Sequence, residues 1–267
     1  MSGTIPPRDR VRYPVLDLLV DAVAPKDALE TIGRRLEEGG RMSVCAANVH
    51  MVMEARRDPT FRDVVNGADL VVPDGMPLVW LAHRRGHAEV RRVYGPDLVL
   101  ALLERAAHRG WTCFFYGGTE GVAEDMAAAM ARRFPGLRVA GAYGPPFRTL
   151  SPAEDEDDVR RINASGAQLV FVGLGCPKQE RWMADHRARL SAPALLGVGA
   201  AFDFLTGRVP QAPRWMMRAG LEWLFRLAQE PRRLWRRYLI YNPLFVFHVV
   251  LESLGTRRSP PAGPPPG

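Results

Sequence analysis

The sequence predicts an α/β fold: a mostly parallel sheet with helices on both faces. Three observations lead there. Short β-prone runs alternate with helical stretches through the first 205 residues. Most runs are apolar throughout, as strands are when both faces are covered. Three of them end in glycine or Asp-Gly turns at the carboxyl ends of strands, where such sheets bind ligands.

The first strand is expected over 15–19 and the first helix over 26–38. A strand over 42–46 runs into Asn48, a good N-cap type, so Asn48 either opens the helix at 50–57 or faces a ligand. His50, beside Met51 and Met53, reads as a packed side chain. The strand at 70–72 ends in Pro73-Asp74-Gly75, before a helix over 76–85. A carboxylate there can act as general base if a hydroxyl is held within hydrogen-bond reach. Spacing alone reads Asp74 first as an Asp-Gly turn whose side chain bonds its own backbone. Arg92 and Asp97 flank Val93-Tyr-Gly-Pro, as an ion pair or as cleft lining, ahead of a helix over 96–109. The strand at 112–116 ends in Gly117-Gly118; a helix over 121–134 and a strand over 137–142 follow. Ser151-Pro-Ala-Glu154 is a capping box opening a helix over 152–165. It explains the acidic run 154–158 better than a metal-binding Asp155-x-Asp157 pair does.

The segment 168–180 is the most informative. A strand over 169–172 ends in Gly173-Leu-Gly175, and Pro177 starts a helix over 177–190 with Lys178, Gln179 and Glu180 in its first turn. Glycines permit close backbone approach, and a helix N-terminus favours an anion. An ordinary βα turn is the alternative. The last strand, 194–198, leads through Gly197-Val-Gly199 to Asp203. Neither glycine pair has the third glycine of a dinucleotide fingerprint, and no G-x-x-x-x-G-K-[ST] loop occurs.

Charge divides the chain. Residues 208–267 hold 10 Arg and 3 acids, whereas residues 1–207 are balanced at 26 and 26. A neutral body with a basic end points to an anionic surface. Arg214, Arg218 and Arg226 are spaced to share a helical face, with Trp215, Leu221, Trp223, Leu224 and Leu227 between them. The apolar stretch after Tyr238, broken by Asn242-Pro243, is too short to span a bilayer and makes lipid a better partner than nucleic acid. Three scattered cysteines without a CxxC pair fit a reducing compartment, and the polar N-terminus has no h-region of a secretory signal. The expected organisation is a core over 1–207, a basic amphipathic helical appendage over 208–254 and a disordered Pro-rich tail over 255–267.

Several ordered blocks agree with one family. They are Ala47-Asn-Val-His50, Ala68-Asp-Leu-Val-Val-Pro-Asp-Gly-Met-Pro77, Arg92-Val-Tyr-Gly-Pro-Asp97 and Phe115-Tyr-Gly-Gly118. Val172-Gly-Leu-Gly-Cys-Pro-Lys-Gln-Glu180, Gly197-Val-Gly-Ala-Ala-Phe-Asp-Phe204 and the Arg/Trp segment from Arg214 to Tyr238 complete the set. The chain resembles the WecG/TagA/CpsF bacterial glycosyltransferases. The resemblance implies a Rossmann-like core and an inverting transfer from a UDP-sugar to a polyprenyl-diphosphate-linked sugar. The work would occur at the inner face of the cell membrane, with no metal or other cofactor expected. Asp74 maps onto the family's candidate base. The resemblance places Asn48, Gly75, Arg92, Asp97, Gly117, Gly118, Gly173, Gly175, Pro177, Lys178, Gln179, Glu180 and Asp203 around the donor. It offers Arg214, Arg218, Arg226, Arg233 and Arg237 as diphosphate contacts. Implied partners are the UDP-sugar, the lipid-linked acceptor and an anionic membrane surface, with self-association open and nucleic acid excluded. Ala46 stands where some members have Thr, so a hydroxyl contact is missing or replaced by another polar group, for example Asn48. The donor stays open among N-acetylmannosamine, its uronic acid and a glucose-type sugar. The alternative is a nucleotide-binding module that docks on an anionic surface through its basic end.

Overall fold

The computed structural model describes residues 10–255. The Pro-rich tail therefore lies outside the described residues. A hairpin comes first: β1 (Arg12–Val15) and β2 (Leu18–Asp21) are antiparallel, with Val15 opposite Leu18. The single strand expected over 15–19 is thus two strands and a turn. Leu16 has a φ of 53° in that turn, and Leu16-Asp17 lacks the Asn or Gly that marks a two-residue hairpin loop. Apolar burial holds it in place: Tyr13, Val15, Leu18 and Val20 are all buried.

Six parallel strands follow: β3 (Met42–Ala47), β4 (Leu70–Pro73), β5 (Thr112–Gly117), β6 (Arg138–Tyr143), β7 (Leu169–Gly173) and β8 (Ala194–Gly197). Their order across the sheet is β4-β3-β8-β7-β5-β6. The hairpin covers the β4 edge, where the Asp21 carboxylate accepts the Val71 N–H at 2.7 Å. Covering an edge in this way removes a template for unwanted strand pairing.

The core helices are α1 (Pro25–Glu37), α2 (Val49–Arg57), α3 (Pro59–Asn66), α4 (Met76–Arg84) and α5 (Gly95–Arg109). Next come α6 (Val122–Arg133), α7 (Pro152–Ala164), α8 (Lys178–His186) and α9 (Ala201–Leu205). Helix α3 was not anticipated, although Asp58-Pro59 signals it: the Asp58 side chain accepts the Thr60 and Phe61 N–H groups. One core layer joins α1, α5, α6 and α9 to the sheet, through Ile32, Leu102, Met126 and Phe202. The other joins α2, α3, α4, α7 and α8, through Met51, Phe61, Leu78, Val159 and Trp182. Helix α2 therefore leaves β3 on one face while α9 leaves its neighbour β8 on the other. Such a reversal opens a crevice at the carboxyl ends of those strands. The capping box at Ser151 and Glu154 is present. Asp155 bonds His186 and Arg189, and Asp157 pairs with Arg160.

After Gly207 come α10 (Arg214–Arg218), α11 (Glu222–Gln229) and α12 (Pro231–Trp235). A π-turn (Arg236–Ile240) then leads into α13 (Tyr241–Ser253). Asn242-Pro243 does not break α13. Pro243 lies just past the π segment, inside a helical run that continues unbroken from α12. Among the described residues no helix is long and apolar enough to cross a membrane.

Candidate active site

Beside the β3 end of the crevice lies the turn that follows β4. Ala47 O accepts the N–H groups of Asp74 (2.8 Å) and Gly75 (3.3 Å), locking the two turns together. A Cβ on Gly75 would lie 3.4 Å from Asn48 Cα, in ordinary contact, so the two turns run side by side. Asn48 caps α2 by accepting the Met51 N–H at 3.3 Å, so its carbonyl is already engaged. His50 is packed as expected; burial and the nearby Arg237 charge lower its ring pKa to about 3, so it is neutral.

Asp74 is not simply turn-forming. Its Oδ1 accepts the Gly95 N–H at 3.2 Å and lies 3.5 Å from Arg92 Nη2, with the side chain still 19% exposed. Burial raises its pKa, and the Glu222 charge adds to the rise. Arg92, the Gly95 N–H and Arg237 oppose it. Arg92 is the hub. Its Nε donates to the Asp74 carbonyl, its Nη2 donates to Glu222 Oε2 at 2.6 Å, and its guanidinium lies 4.4 Å over the Tyr94 ring. The Arg92–Asp97 pair is not formed; Asp97 instead takes a two-pronged bond from Arg214, at 2.7 and 3.0 Å.

The Pro-Lys-Gln-Glu turn separates into two roles. Lys178 alone is exposed. Gln179 and Glu180 are buried, which corrects the expectation that all three polar groups face a ligand. Gln179 Oε1 accepts the N–H groups of Gly175 (3.2 Å) and Gly199 (2.9 Å), tying the β7 and β8 turns together. Its Nε2 donates to Glu180 Oε1 at 2.6 Å. Burial pushes the Glu180 carboxyl up to about 7. The glycines divide too. A Cβ on Gly117 would strike the Gly173 backbone at 2.7 Å, and one on Gly173 would meet the Phe202 ring at 3.0 Å. Gly118 has φ +79°, its N–H bonds Gly173 O, and a Cβ there would meet Val122 at 2.7 Å. These glycines are needed for loop packing. Gly175, with φ +78° and nothing within 4 Å, leaves open space beside Pro177. Asp203 is half-buried; burial raises its pKa against the charges of Arg233, Arg208 and Arg226. Phe147, in the loop after β6, is 90% exposed, with the Lys178 ammonium 5.6 Å from its ring centre. No sequence pattern singled it out.

A family model described as the Glycosyl transferase WecG/TagA/CpsF family matches residues 13–259. The chain belongs to that family. It is also 33% identical over 205 residues to the Bacillus spizizenii N-acetylglucosaminyldiphosphoundecaprenol N-acetyl-beta-D-mannosaminyltransferase, covering 76% of this chain and 77% of that protein.

In this glycosyltransferase the five candidate arginines are not equivalent. Arg214, Arg218 and Arg226 do not share one helical face, because Gly220 at φ +73° separates α10 from α11. Arg214 is held by Asp97 and Arg233 by Glu230 at 2.6 Å. Arg218 is exposed. Arg226 lies 5.1 Å over Phe204 and only 4.0 Å from Glu230, while Arg237 acts electrostatically on both Asp74 and Cys176. The Nε atoms of Arg226 and Arg237 are buried without a partner among the described residues. Burial also lowers the Arg237 pKa. Two mutually interacting cations with unmet donors make a site able to hold an anion.

Proposed function

We propose that this glycosyltransferase moves a sugar, with inversion, from a UDP-sugar to a polyprenyl-diphosphate-linked sugar, with Asp74 as base. Asp74 takes the proton of the acceptor hydroxyl as that oxygen forms its bond to the anomeric carbon, and the bond from that carbon to the diphosphate breaks, releasing UDP. The observation that carries this reading is the partly exposed Asp74 carboxylate, its pKa raised by burial, under the charge of Arg237, whose Nε has no partner among the described residues. A raised carboxylate is a stronger base. The name of the Bacillus relative supports N-acetylmannosamine as the donor sugar and an N-acetylglucosaminyl-diphospholipid as acceptor. Arg226 and Arg237 are assigned to diphosphate, and Lys178, Phe147 and the open backbone at Gly175 to the donor. No step in this scheme calls for a metal.

Membrane contact is assigned to the appendage. Trp235, Leu239, Ile240, Leu244, Val246 and Phe247 are exposed there, near the exposed Arg232 and Arg236. Apolar side chains beside arginines suit an anionic interface, which makes the protein peripheral on the inner membrane face.

The test is UDP release from a panel of UDP-sugars with a synthetic polyprenyl-diphosphate N-acetylglucosamine. One donor should give acceptor-dependent release. Asp74→Asn should lower it about 10²–10⁴-fold, with UDP binding retained by calorimetry. Full activity in that variant would remove Asp74 from the chemistry.

A further inference from the structure

We propose that Glu222 is a positioning residue for the transfer: it draws the Arg92 guanidinium off Asp74 and so preserves the strength of that base. The inference rests on the reading of Asp74 as base.

Arg92 is held by two side-chain contacts of unequal length and one main-chain tether. Arg92 Nη2 is 2.6 Å from Glu222 Oε2 but 3.5 Å from Asp74 Oδ1. The tether between Arg92 and Asp74 runs instead to the main-chain carbonyl of Asp74. The guanidinium is therefore fixed beside the base without a close ion pair to its carboxylate. A full Arg–carboxylate pair would hold Asp74 ionised and lower its proton affinity, which weakens a general base. Glu222 acts against this in two ways. It takes the shorter bond of the same Nη2, and it adds a negative charge near Asp74.

Few other groups act on Asp74. On its own side of the cleft are Arg92, the Gly95 N–H and the Tyr94 hydroxyl. From the C-terminal helices come Glu222 and Arg237. Of these, Glu222 alone is an acid, so it sets the balance against two cations. The side chains of Arg92 and Glu222 are each 16% exposed, so bulk solvent screens the arrangement little. Glu222 lies in the first turn of α11, where a carboxylate is also favourable to the helix, so its position serves both ends. Its carboxylate is engaged by Arg92, hence its assignment as a positioning residue.

The experiment is the pH dependence of kcat/KM for UDP release in the full-length protein, with wild type, Glu222→Gln, Glu222→Asp and Asp74→Asn. Folding of each is checked by thermal melting. Removing the Glu222 charge frees Arg92 for Asp74. The acid limb should then move to lower pH by roughly one unit, with the plateau falling about threefold and donor KM little changed. Glu222→Asp should restore most of the shift. A plateau loss in Glu222→Gln without movement of the limb, while Asp74→Asn is inactive, would overturn the role of Glu222 and leave Asp74 as base. An Asp74→Asn variant as active as wild type would overturn both.

Discussion

Glu180 shows how far a motif can be read and where reading stops. Its sequence neighbours mark a βα turn, yet its carboxylate faces inward and steadies the Gln179 amide. Burial raises its pKa to about 7, against roughly 4.3 for a free glutamate. The fold therefore binds this proton more tightly than the unfolded chain. The resulting stability is fully present below about pH 4 and is lost as pH rises through 7, at a cost on the order of 3 kcal/mol above that. Glu180→Gln cannot ionise and should be more stable relative to wild type at pH 8 than at pH 5. Chemical denaturation at both pH values would measure this; an equal difference at the two would mean that burial does not penalise the charge. Asp74, Asn48 and Lys178 could be picked from sequence because each lies in the turn or first helical turn after a recognisable strand. Glu222 and Phe147 could not. Glu222 was one of a few acids in a segment read for its arginines, and Phe147 sits in a loop without periodicity.

At the level of elements, the six parallel strands were readable from their apolar runs, and each glycine turn fell where expected. The hairpin and α3 were missed for opposite reasons. The Leu16-Asp17 turn carries no turn signal, whereas Asp58-Pro59 carries a clear one, directly after the helix expected over 50–57. The junction of α10 and α11 was legible only as a glycine. Gly220 has φ +73°, and a Cβ there would lie 2.6 Å from the ring of Trp80, which α4 presents at 47% exposure. Gly220→Ala should therefore destabilise this junction by about 1–3 kcal/mol and displace Glu222 from Arg92. The expected result is a fall in kcat with the β-sheet core intact, seen as unchanged far-ultraviolet dichroism beside reduced UDP release. Unimpaired turnover would mean that the α4 contact does not hold α11 in place.

On the scale of the whole molecule, the C-terminal helices are fastened to the core at separate places. Glu222 meets Arg92, Tyr241 stacks on His50 and donates to Glu54 at 2.7 Å, and Glu252 meets Arg85 at 3.2 Å. The third acid of this region, Glu230, pairs with the region's own Arg233. The body's neutrality and the basic end were plain from composition; where the two join was not, because single acids in a basic segment give no pattern. Two classes of electrostatic contact with different responses to ionic strength follow from this arrangement. The clasps at Glu222 and Glu252 are largely shielded from water and feel dissolved salt weakly, whereas Arg232 and Arg236 stand in solvent and feel it fully. Raising salt from 0.05 to 0.5 M should release the protein from anionic vesicles in a flotation assay while UDP release from a detergent-solubilised acceptor is largely kept. Parallel loss of both would mean that one set of charges serves both contacts. If the two separate, the enzyme can be washed from a bilayer by salt without being taken apart.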